Sequence, residues 1–124
     1  ILSSGIMVAE ALKAAELLEK QQIRAEIINI HTIKPLDTRL IIESAAKTGC
    51  VVTAENGSIY NGLGSAAAEC LAEHLPRPMK RIGVQDCFGQ IGHVEELLNA
   101  FHMAAEDIAA AAAELVRNKE KGGL

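Results

Sequence analysis

The groups in this chain best suited to catalysis are two acids and a histidine, each of which follows a predicted strand. Glu55 follows the third predicted strand, and Asp86 and His93 follow the fourth. If those strands are neighbours in a parallel sheet, the three side chains meet at its carboxyl edge, where ligands and partner subunits contact such folds. A carboxylate beside an imidazole can support acid–base chemistry. The only nearby nucleophiles, Ser58 and Cys87, are not convincingly placed, which favours a structural use of the three groups as loop or interface anchors.

A second candidate site is the glycine pattern G-x-G-x-x-A at residues 62–67, which opens a predicted helix. Free N–H groups at a helix N-terminus attract phosphate, so an anion-binding regulatory module is one interpretation. A dinucleotide fingerprint, however, needs its glycines in the tight turn directly after the strand. Here about seven residues, among them Tyr60 and Asn61, separate the strand from Gly62. The pattern therefore favours a glycine turn with close helix–sheet packing.

Composition limits the classes of protein to which the chain can belong. Its 124 residues are 49% hydrophobic, yet only one Tyr and two Phe are aromatic, so the core must be built from Ile, Leu, Val and Ala. A net charge of −4, scattered basic residues and few aromatics argue against nucleic-acid binding. No apolar run approaches the ~18 residues that suggest a membrane span. We expect neither nucleic acid nor membrane as a partner.

The cysteines and the remaining histidines do not predict a metal site. The three cysteines form no C-x-x-C pair, which argues against zinc or a disulfide framework and favours a reducing, cytoplasmic location. Cys50 and Cys70 are expected to be small core residues. Surface positions are expected for His31, His74 and His102, because they lie near element ends without metal-ligand spacing.

Hydrophobic periodicity predicts helices that alternate with strands along the chain. After a strand end at the start, the predicted helices are 7–20, 38–48, 63–74, 94–101 and 104–118, and the predicted strands are 25–30, 50–54 and 80–84. Such alternation indicates right-handed β-α-β crossovers. The fold class is therefore α/β, a three-layer α/β/α sandwich with a mostly parallel sheet of four to five strands.

The second helix carries the clearest local signals. Asp37 is placed to cap its N-terminus, and Gly49 suits the left-handed residue that follows its last turn. Leu40, Ile41 and Ala45 are expected to face inward.

The two ends of the chain suggest how the domain is bounded. It opens on Ile1 without a methionine and reads as the end of a strand entering a helix, so we expect it to be part of a longer protein. We expect one domain at residues 1–118 and a polar, frayed tail at residues 119–124.

Four segments, in this order, resemble the C-terminal domain of the transketolase family of thiamine-diphosphate enzymes. They are I-N-I-H-T-I-K-P-L-D at 28–37, V-V-T-A-E-N at 51–56, N-G-L-G-S-A at 61–66 and R-I-G-V-Q-D-C-F-G-Q-I-G at 81–92. The chain is most similar to the separately encoded C-terminal section of bacterial transketolase. Alternatives are the same domain of 1-deoxyxylulose-5-phosphate synthase and of the β subunits of 2-oxoacid dehydrogenases.

The resemblance implies a domain without catalytic, cofactor-binding or metal-binding residues of its own. In this family thiamine diphosphate and a divalent metal (Mg or Ca) lie between domains that precede this one. The parent enzyme moves two-carbon ketol units between sugar phosphates. This domain would support a homodimer, contact the N-terminal section of the same enzyme and be inactive alone. In the dehydrogenase branch it also helps to receive a partner protein.

The resemblance further implies that the loops at 55–64 and 85–93 are interface elements. The residues expected to anchor these loops or the interface are Glu55, Asn56, Tyr60, Gly62, Gly64, Asp86, Phe88, Gln90, Ile91 and His93.

The chain departs from the family pattern at three places. Asn61 replaces a glycine but still permits a positive φ, and Ile91 puts apolar surface in a loop, as suits an interface. Near the last helix, His102 stands where the family has glycine and Ala104 where it has a capping threonine.

Overall fold

A computed structural model of the chain describes residues 1–85 and 92–122. The described residues form four strands, and all pairings between them are parallel, in the spatial order β2-β1-β3-β4. This confirms the predicted α/β class. In chain order the elements are β1 (Leu2–Ser3), α1 (Met7–Glu19), β2 (Ile28–Asn29), α2 (Thr38–Thr48), β3 (Val51–Ser58), α3 (Leu63–His74), β4 (Met79–Val84), α4 (Val94–Ala100) and α5 (Ala105–Glu120).

Helices cover both faces of the sheet. Successive side chains of the central strand β3 point to opposite faces, so they pack against different helices. Val52 and Ala54 belong to a buried cluster with residues of α1, α4 and α5. Val51 belongs to a second cluster with residues of α2 and α3. The predicted three-layer sandwich is thereby confirmed, and its core is aliphatic and alanine-rich. In the described ranges, no helix combines the length and the apolar character that crossing a membrane requires.

The second strand is shorter than predicted. It was expected to span residues 25–30, but only Ile28 and Asn29 pair with the sheet. Its neighbour β1 offers two residues for pairing, and hydrogen bonds from Ile28 N to Ile1 O at 2.9 Å and from Ile30 N to Ser3 O at 2.8 Å bracket the contact. The β-branched run around Ile28 cannot form a ladder beyond the reach of β1.

Helix α2 confirms both predicted caps and corrects one core assignment. Asp37 Oδ1 accepts a hydrogen bond from Leu40 N at 3.1 Å, and Gly49 has φ +85°. Ile41 and Ala45 are buried, but the prediction that Leu40 faces inward was wrong, since this residue is 40% exposed. Leu40 lies one residue, about 100° of helical rotation, from the buried stripe through Ile41 and Ala45.

Helix α5 begins without the threonine cap that the family pattern provides, and other residues replace it. Asp107 Oδ2 accepts a hydrogen bond from Ala104 N at 3.0 Å. Glu10 Oε2, from α1, accepts one from Ala105 N at 2.9 Å. His102 just before the helix has φ +56°, the left-handed region in which glycine is favoured. The helix extends to Glu120 and so includes the first two residues of the predicted tail.

Candidate functional site at the carboxyl edge of the sheet

Strand β3 passes through the acid that was expected to follow it. The strand was predicted to end at Ala54, but it continues through Glu55 to Ser58, with an irregular register against β4 between Ala54 and Ser58. Glu55 is therefore a strand residue, and it is buried, with only 6% of its surface exposed.

The carboxylate of Glu55 is bonded to the backbone at the start of α3. Its Oε1 accepts a hydrogen bond from Leu63 N at 3.0 Å, and its Oε2 accepts one from Gly64 N at 2.7 Å. These N–H groups have no partner within the helix, and the positive end of the helix dipole favours a negative charge beside them. Glu55 thus supplies from within the chain the anion that such a helix end can bind.

The glycines around Glu55 make room for its carboxylate. A Cβ on Gly62 would overlap Glu55 Oε1. A Cβ on Gly64 would lie 3.1 Å from Glu55 Oε2 and 3.0 Å from Thr53 Oγ1. The G-x-G pattern is therefore explained by close packing against an internal carboxylate, as the glycine-turn interpretation predicted.

The segment between β3 and α3 carries an exposed aromatic residue on an ordered backbone. Tyr60 is 53% exposed. Asn61, which follows it, has φ +60°, as the sequence allowed. Ser65 Oγ accepts a hydrogen bond from Asn61 N at 3.0 Å and donates one to Ile59 O at 3.1 Å.

The other predicted site residues are only partly placed. Asn56 is exposed on β3. His93 is exposed at the start of α4, where its backbone N–H points to Glu96 Oε2 at 3.4 Å. Four of the predicted interface residues, together with the possible nucleophile Cys87, lie outside the described residues: Asp86, Phe88, Gln90 and Ile91. Strands β3 and β4 are neighbours, as the idea of a shared edge required.

An apolar cavity of about 210 Å³ lies at this same edge, and sequence reasoning missed it. Ile6 and Val94, among its lining residues, are 51% and 58% exposed. Both residues stand at the starts of helices, where helical periodicity is not yet informative, so the only available signal was an apolar residue beside a glycine-rich turn. The remaining lining residues are Asn56, Val84, Leu97, Leu98, Phe101 and Met103.

The opposite, amino edge of the sheet holds a cavity of about 360 Å³ with charged groups at its rim. There Glu26 accepts hydrogen bonds from Lys47 Nζ at 2.7 Å and Ser44 Oγ at 2.6 Å. The hydrogen bond from Lys47, and to a lesser extent that from Ser44, lowers the pKa of Glu26 below its ordinary value. Lys119 Nζ donates to Thr48 O at 3.0 Å, at the C-terminal end of α2.

Within residues 1–85 and 92–122, no three His, Cys, Asp or Glu side chains lie close enough together to bind a metal ion. The three histidines predicted at the surface are exposed: His31, His74 and His102. Cys70 is buried, as predicted, and burial raises the pKa of its thiol. Cys50 is partly buried.

Comparison with known proteins agrees with this geometry. A family model described as "Transketolase, C-terminal domain" matches residues 1–108. The chain belongs to this family. The resemblance of the four sequence segments is thereby confirmed, and the glycine turn around Glu55 is a feature of a transketolase C-terminal domain.

Relatives of this transketolase C-terminal domain include a transketolase subunit, a putative transketolase C-terminal section and a synthase. The 6-deoxy-6-sulfo-D-fructose transketolase subunit SqwH of Clostridium sp. (strain MSTE9) is 55% identical over 119 residues, which are 96% of this chain and 37% of the relative. A putative transketolase C-terminal section of Methanocaldococcus jannaschii is 43% identical over 110 residues, 88% of this chain and 34% of the relative. 1-Deoxy-D-xylulose-5-phosphate synthase 1 of Geobacter sulfurreducens is 40% identical over 113 residues, 90% of this chain and 18% of that enzyme.

A solved structure has the same fold as this transketolase C-terminal domain. It is described as a split gene transketolase, an inactive β4 tetramer, and superposes with a TM-score of 0.86 at 42% sequence identity. The match covers 94% of this chain and 37% of the solved chain. The chain thus spans little more than a third of the length of this solved chain and of the first two relatives.

Proposed function

We propose that this domain is an assembly unit of a transketolase-type enzyme and has no catalytic role of its own. The observation that carries the proposal is the use of Glu55: both of its carboxylate oxygens are bonded to the start of α3. Protonation of a carboxylate so engaged would weaken its bonds to the start of the helix, so the arrangement favours a permanently charged anchor over a general base. Glu55, the buried member of the candidate catalytic set, is thus satisfied within the chain.

In this proposal thiamine diphosphate and a divalent metal are held by other domains of a cytoplasmic enzyme. The described residues do not fit either group. The N–H groups of Leu63 and Gly64, which could bind a diphosphate, already bind Glu55. The side chains at this edge also lack a cluster of metal ligands within the described ranges. The parent enzyme would transfer two-carbon ketol units between sugar phosphates.

The proposed role in assembly rests on the exposed apolar side chains at the carboxyl edge. Ile6, Tyr60 and Val94 are each more than half exposed there. The solved relative is described as a β4 tetramer, and the Clostridium relative as a transketolase subunit. We propose that a second copy of this chain covers the edge, in a homodimer that also contacts the N-terminal section of the enzyme. Association removes this apolar surface from water.

Sedimentation velocity over a range of chain concentrations tests the assembly role. We expect self-association that Val94→Asp and Tyr60→Ala each weaken about tenfold or more, as is typical of interface anchors. Leu12→Asp is the matched control, because Leu12 is 52% exposed but lies in the middle of α1. A chain that remains monomeric, or that Leu12→Asp weakens equally, contradicts the proposal.

The absence of a catalytic role has its own test. The chain is incubated with thiamine diphosphate, Mg²⁺ and a ketose phosphate donor, and ketol transfer is measured. We expect no turnover, and turnover by this chain that Glu55→Gln abolishes would overturn the proposal.

Two relatives suggest alternatives for the substrates of the intact enzyme. The Clostridium relative is named for 6-deoxy-6-sulfo-D-fructose, and at 55% identity it makes a sulfonated ketose a donor to test beside ketose phosphates. The 40% identical Geobacter relative makes formation of 1-deoxy-D-xylulose 5-phosphate the competing reaction. Assaying the intact enzyme that contains this domain with each donor distinguishes ketol transfer from that synthesis.

The anion-binding alternative makes a prediction opposite to ours. An external phosphate at the start of α3 would have to displace Glu55 from the N–H groups of Leu63 and Gly64. We therefore expect no heat when the chain is titrated calorimetrically with inorganic phosphate at millimolar concentration. Binding that shifts the amide resonances of Leu63 and Gly64 would favour a regulatory module.

A further inference from the structure

Tyr60 is exposed, yet the backbone on both sides of it is held by hydrogen bonds. Its own N–H donates to Ser58 Oγ at 3.1 Å, and the next N–H, of Asn61, donates to Ser65 Oγ at 3.0 Å. The same hydroxyl of Ser65 donates to Ile59 O at 3.1 Å. The backbone that carries the exposed Tyr60 ring is therefore already ordered in the free protein.

Arg81 of β4 contacts this segment. Its Nη1 donates to Ile59 O at 3.1 Å, and its guanidinium carbon lies 6.0 Å from the centre of the Tyr60 ring. The stem of Arg81 passes α3 at Gly64, where a Cβ would be 2.9 Å from Arg81 Cδ. A planar guanidinium can donate a hydrogen bond and face an aromatic ring at once, which an ammonium group does poorly.

We infer that Arg81 is a positioning residue: it holds Tyr60 in the orientation in which the ring contacts a second copy of this chain. The inference rests on the proposed function, since it names the residue that prepares the proposed contact. Ordering an aromatic side chain before association lowers the entropy that association must remove, and aromatic residues are common anchors of interfaces. Arg81 is partly buried and acts through Tyr60.

The composition of the chain provides a direct readout of the Tyr60 ring. Tyr60 is the only tyrosine, and there is no tryptophan, so the near-ultraviolet circular dichroism of tyrosine reports this one residue. In dilute, monomeric wild type we expect an ordered tyrosine band. Arg81→Ala should reduce it severalfold, and Arg81→Lys should not restore it. The matched control is Arg39→Ala, because the Arg39 side chain is 88% exposed and pairs with Glu43 on α2. An unchanged band in Arg81→Ala overturns the inference.

Association affinities test whether the ordered ring is used. We expect Arg81→Ala to weaken self-association about tenfold, and the double variant with Tyr60→Ala to be no weaker than Tyr60→Ala alone, since coupled residues are not additive. Additive losses would overturn the inference, because Arg81 would then act elsewhere. Thermal unfolding of each variant separates this effect from a loss of folding. A wild-type chain that never associates refutes the proposed function and the use of Tyr60, whereas the tyrosine band still decides whether Arg81 orders the ring.

Discussion

The carboxylate of Glu55 occupies the space in which a side chain at Gly62 would begin. A Cβ built on Gly62 overlaps Glu55 Oε1, and the same oxygen accepts the hydrogen bond from Leu63 N. The glycine and the acid therefore form one packing unit that joins the end of β3 to the start of α3. This relationship gives the candidate catalytic acid a structural role at the start of α3.

Gly62→Ala should destabilise the chain, because the added methyl group must push the Glu55 carboxylate away from the helix. Overpacking of this kind costs about 1–3 kcal/mol of unfolding free energy. Urea unfolding measures the loss. Gly57→Ala is the control, since a Cβ there meets nothing within 4 Å. Equal unfolding free energies of the two variants would show that the loop accommodates the methyl group without destabilisation.

Glu55→Gln should destabilise the chain while keeping the shape of the side chain. One carboxylate oxygen becomes an NH₂ group that cannot accept the hydrogen bond from Leu63 or Gly64. Losing a charge-assisted bond to a buried N–H costs ~1–3 kcal/mol. Amide exchange should become faster at Leu63 and Gly64, and Glu69→Gln, at an exposed position of the same helix, should leave it unchanged. Wild-type exchange in Glu55→Gln would contradict the anchoring role.

Glu10→Ala should weaken the start of α5, although the two residues are far apart in the chain. The variant removes the acceptor for Ala105 N, and loss of a helix cap costs ~1 kcal/mol. Ala104→Ser in the same chain should recover most of the loss by supplying a local cap. Lys13→Ala is the control, because it removes the ion pair with Glu10 at 2.9 Å but leaves the cap. Chemical denaturation measures all four proteins, and failure of the serine to rescue would count against capping.

His102→Gly should stabilise the chain. A non-glycine residue at φ +56° is strained, and relief of that strain exceeds the entropy that glycine adds to the unfolded chain by about 0.5–1 kcal/mol. His102→Ala keeps the strain and removes the imidazole, so it separates the backbone effect from any loss of side-chain contact. A melting temperature that rises equally in both variants would assign the effect to the imidazole.

Acid should destabilise the chain partly through Glu26. Its hydrogen bonds from Lys47 and Ser44 lower its pKa in the folded state, so its contribution is complete above the unfolded pKa of ~4.3 and is lost as the pH falls through the lower folded pKa. Between about pH 5 and pH 3, Glu26→Gln should therefore lose less unfolding free energy than wild type. Lys47→Met, which removes the ammonium group that bonds Glu26, should flatten the dependence of stability on pH similarly. If the unfolding free energies of wild type and both variants fall equally with pH, Glu26 does not contribute to acid destabilisation.

Local patterns predicted those parts of the fold that depend on neighbouring residues. Asp37 and Gly49 bound α2 as expected, because capping is a property of a few consecutive residues. The alternation of Val51 and Val52 between the two faces of β3 likewise follows from strand geometry. The prediction for Leu40 was wrong because helical spacing alone does not say which side of α2 faces the core. A buried stripe through Leu40 and one through Ile41 and Ala45 fit the sequence equally well until the neighbouring elements are known.

The candidate site could be predicted in outline but not in its bonding. Sequence reasoning singled out Glu55 and the glycines of the 55–64 segment, and the structure places the Glu55 carboxylate against Gly62 and Gly64. That the start of α3 does not bind phosphate stays a prediction. The hydrogen bonds from Leu63 and Gly64 to Glu55 join residues that lie eight and nine positions apart, and no local pattern predicts them. Ile6 and Val94 were missed because apolar exposure depends on what the fold leaves uncovered.

By itself the sequence determined the order of helices and strands, the caps of α2, the aliphatic core and membership of the transketolase C-terminal family, since these follow from short-range periodicity and ordered motifs. Tertiary structure alone decided how much of each strand pairs, where the carboxylate of Glu55 goes and which residue caps α5. The last contact joins Glu10 to Ala105 across 95 positions of the chain. Such contacts depend on the packing of whole elements against one another. The energy of that packing comes from residues distant in the chain and cannot be inferred from a short stretch of sequence.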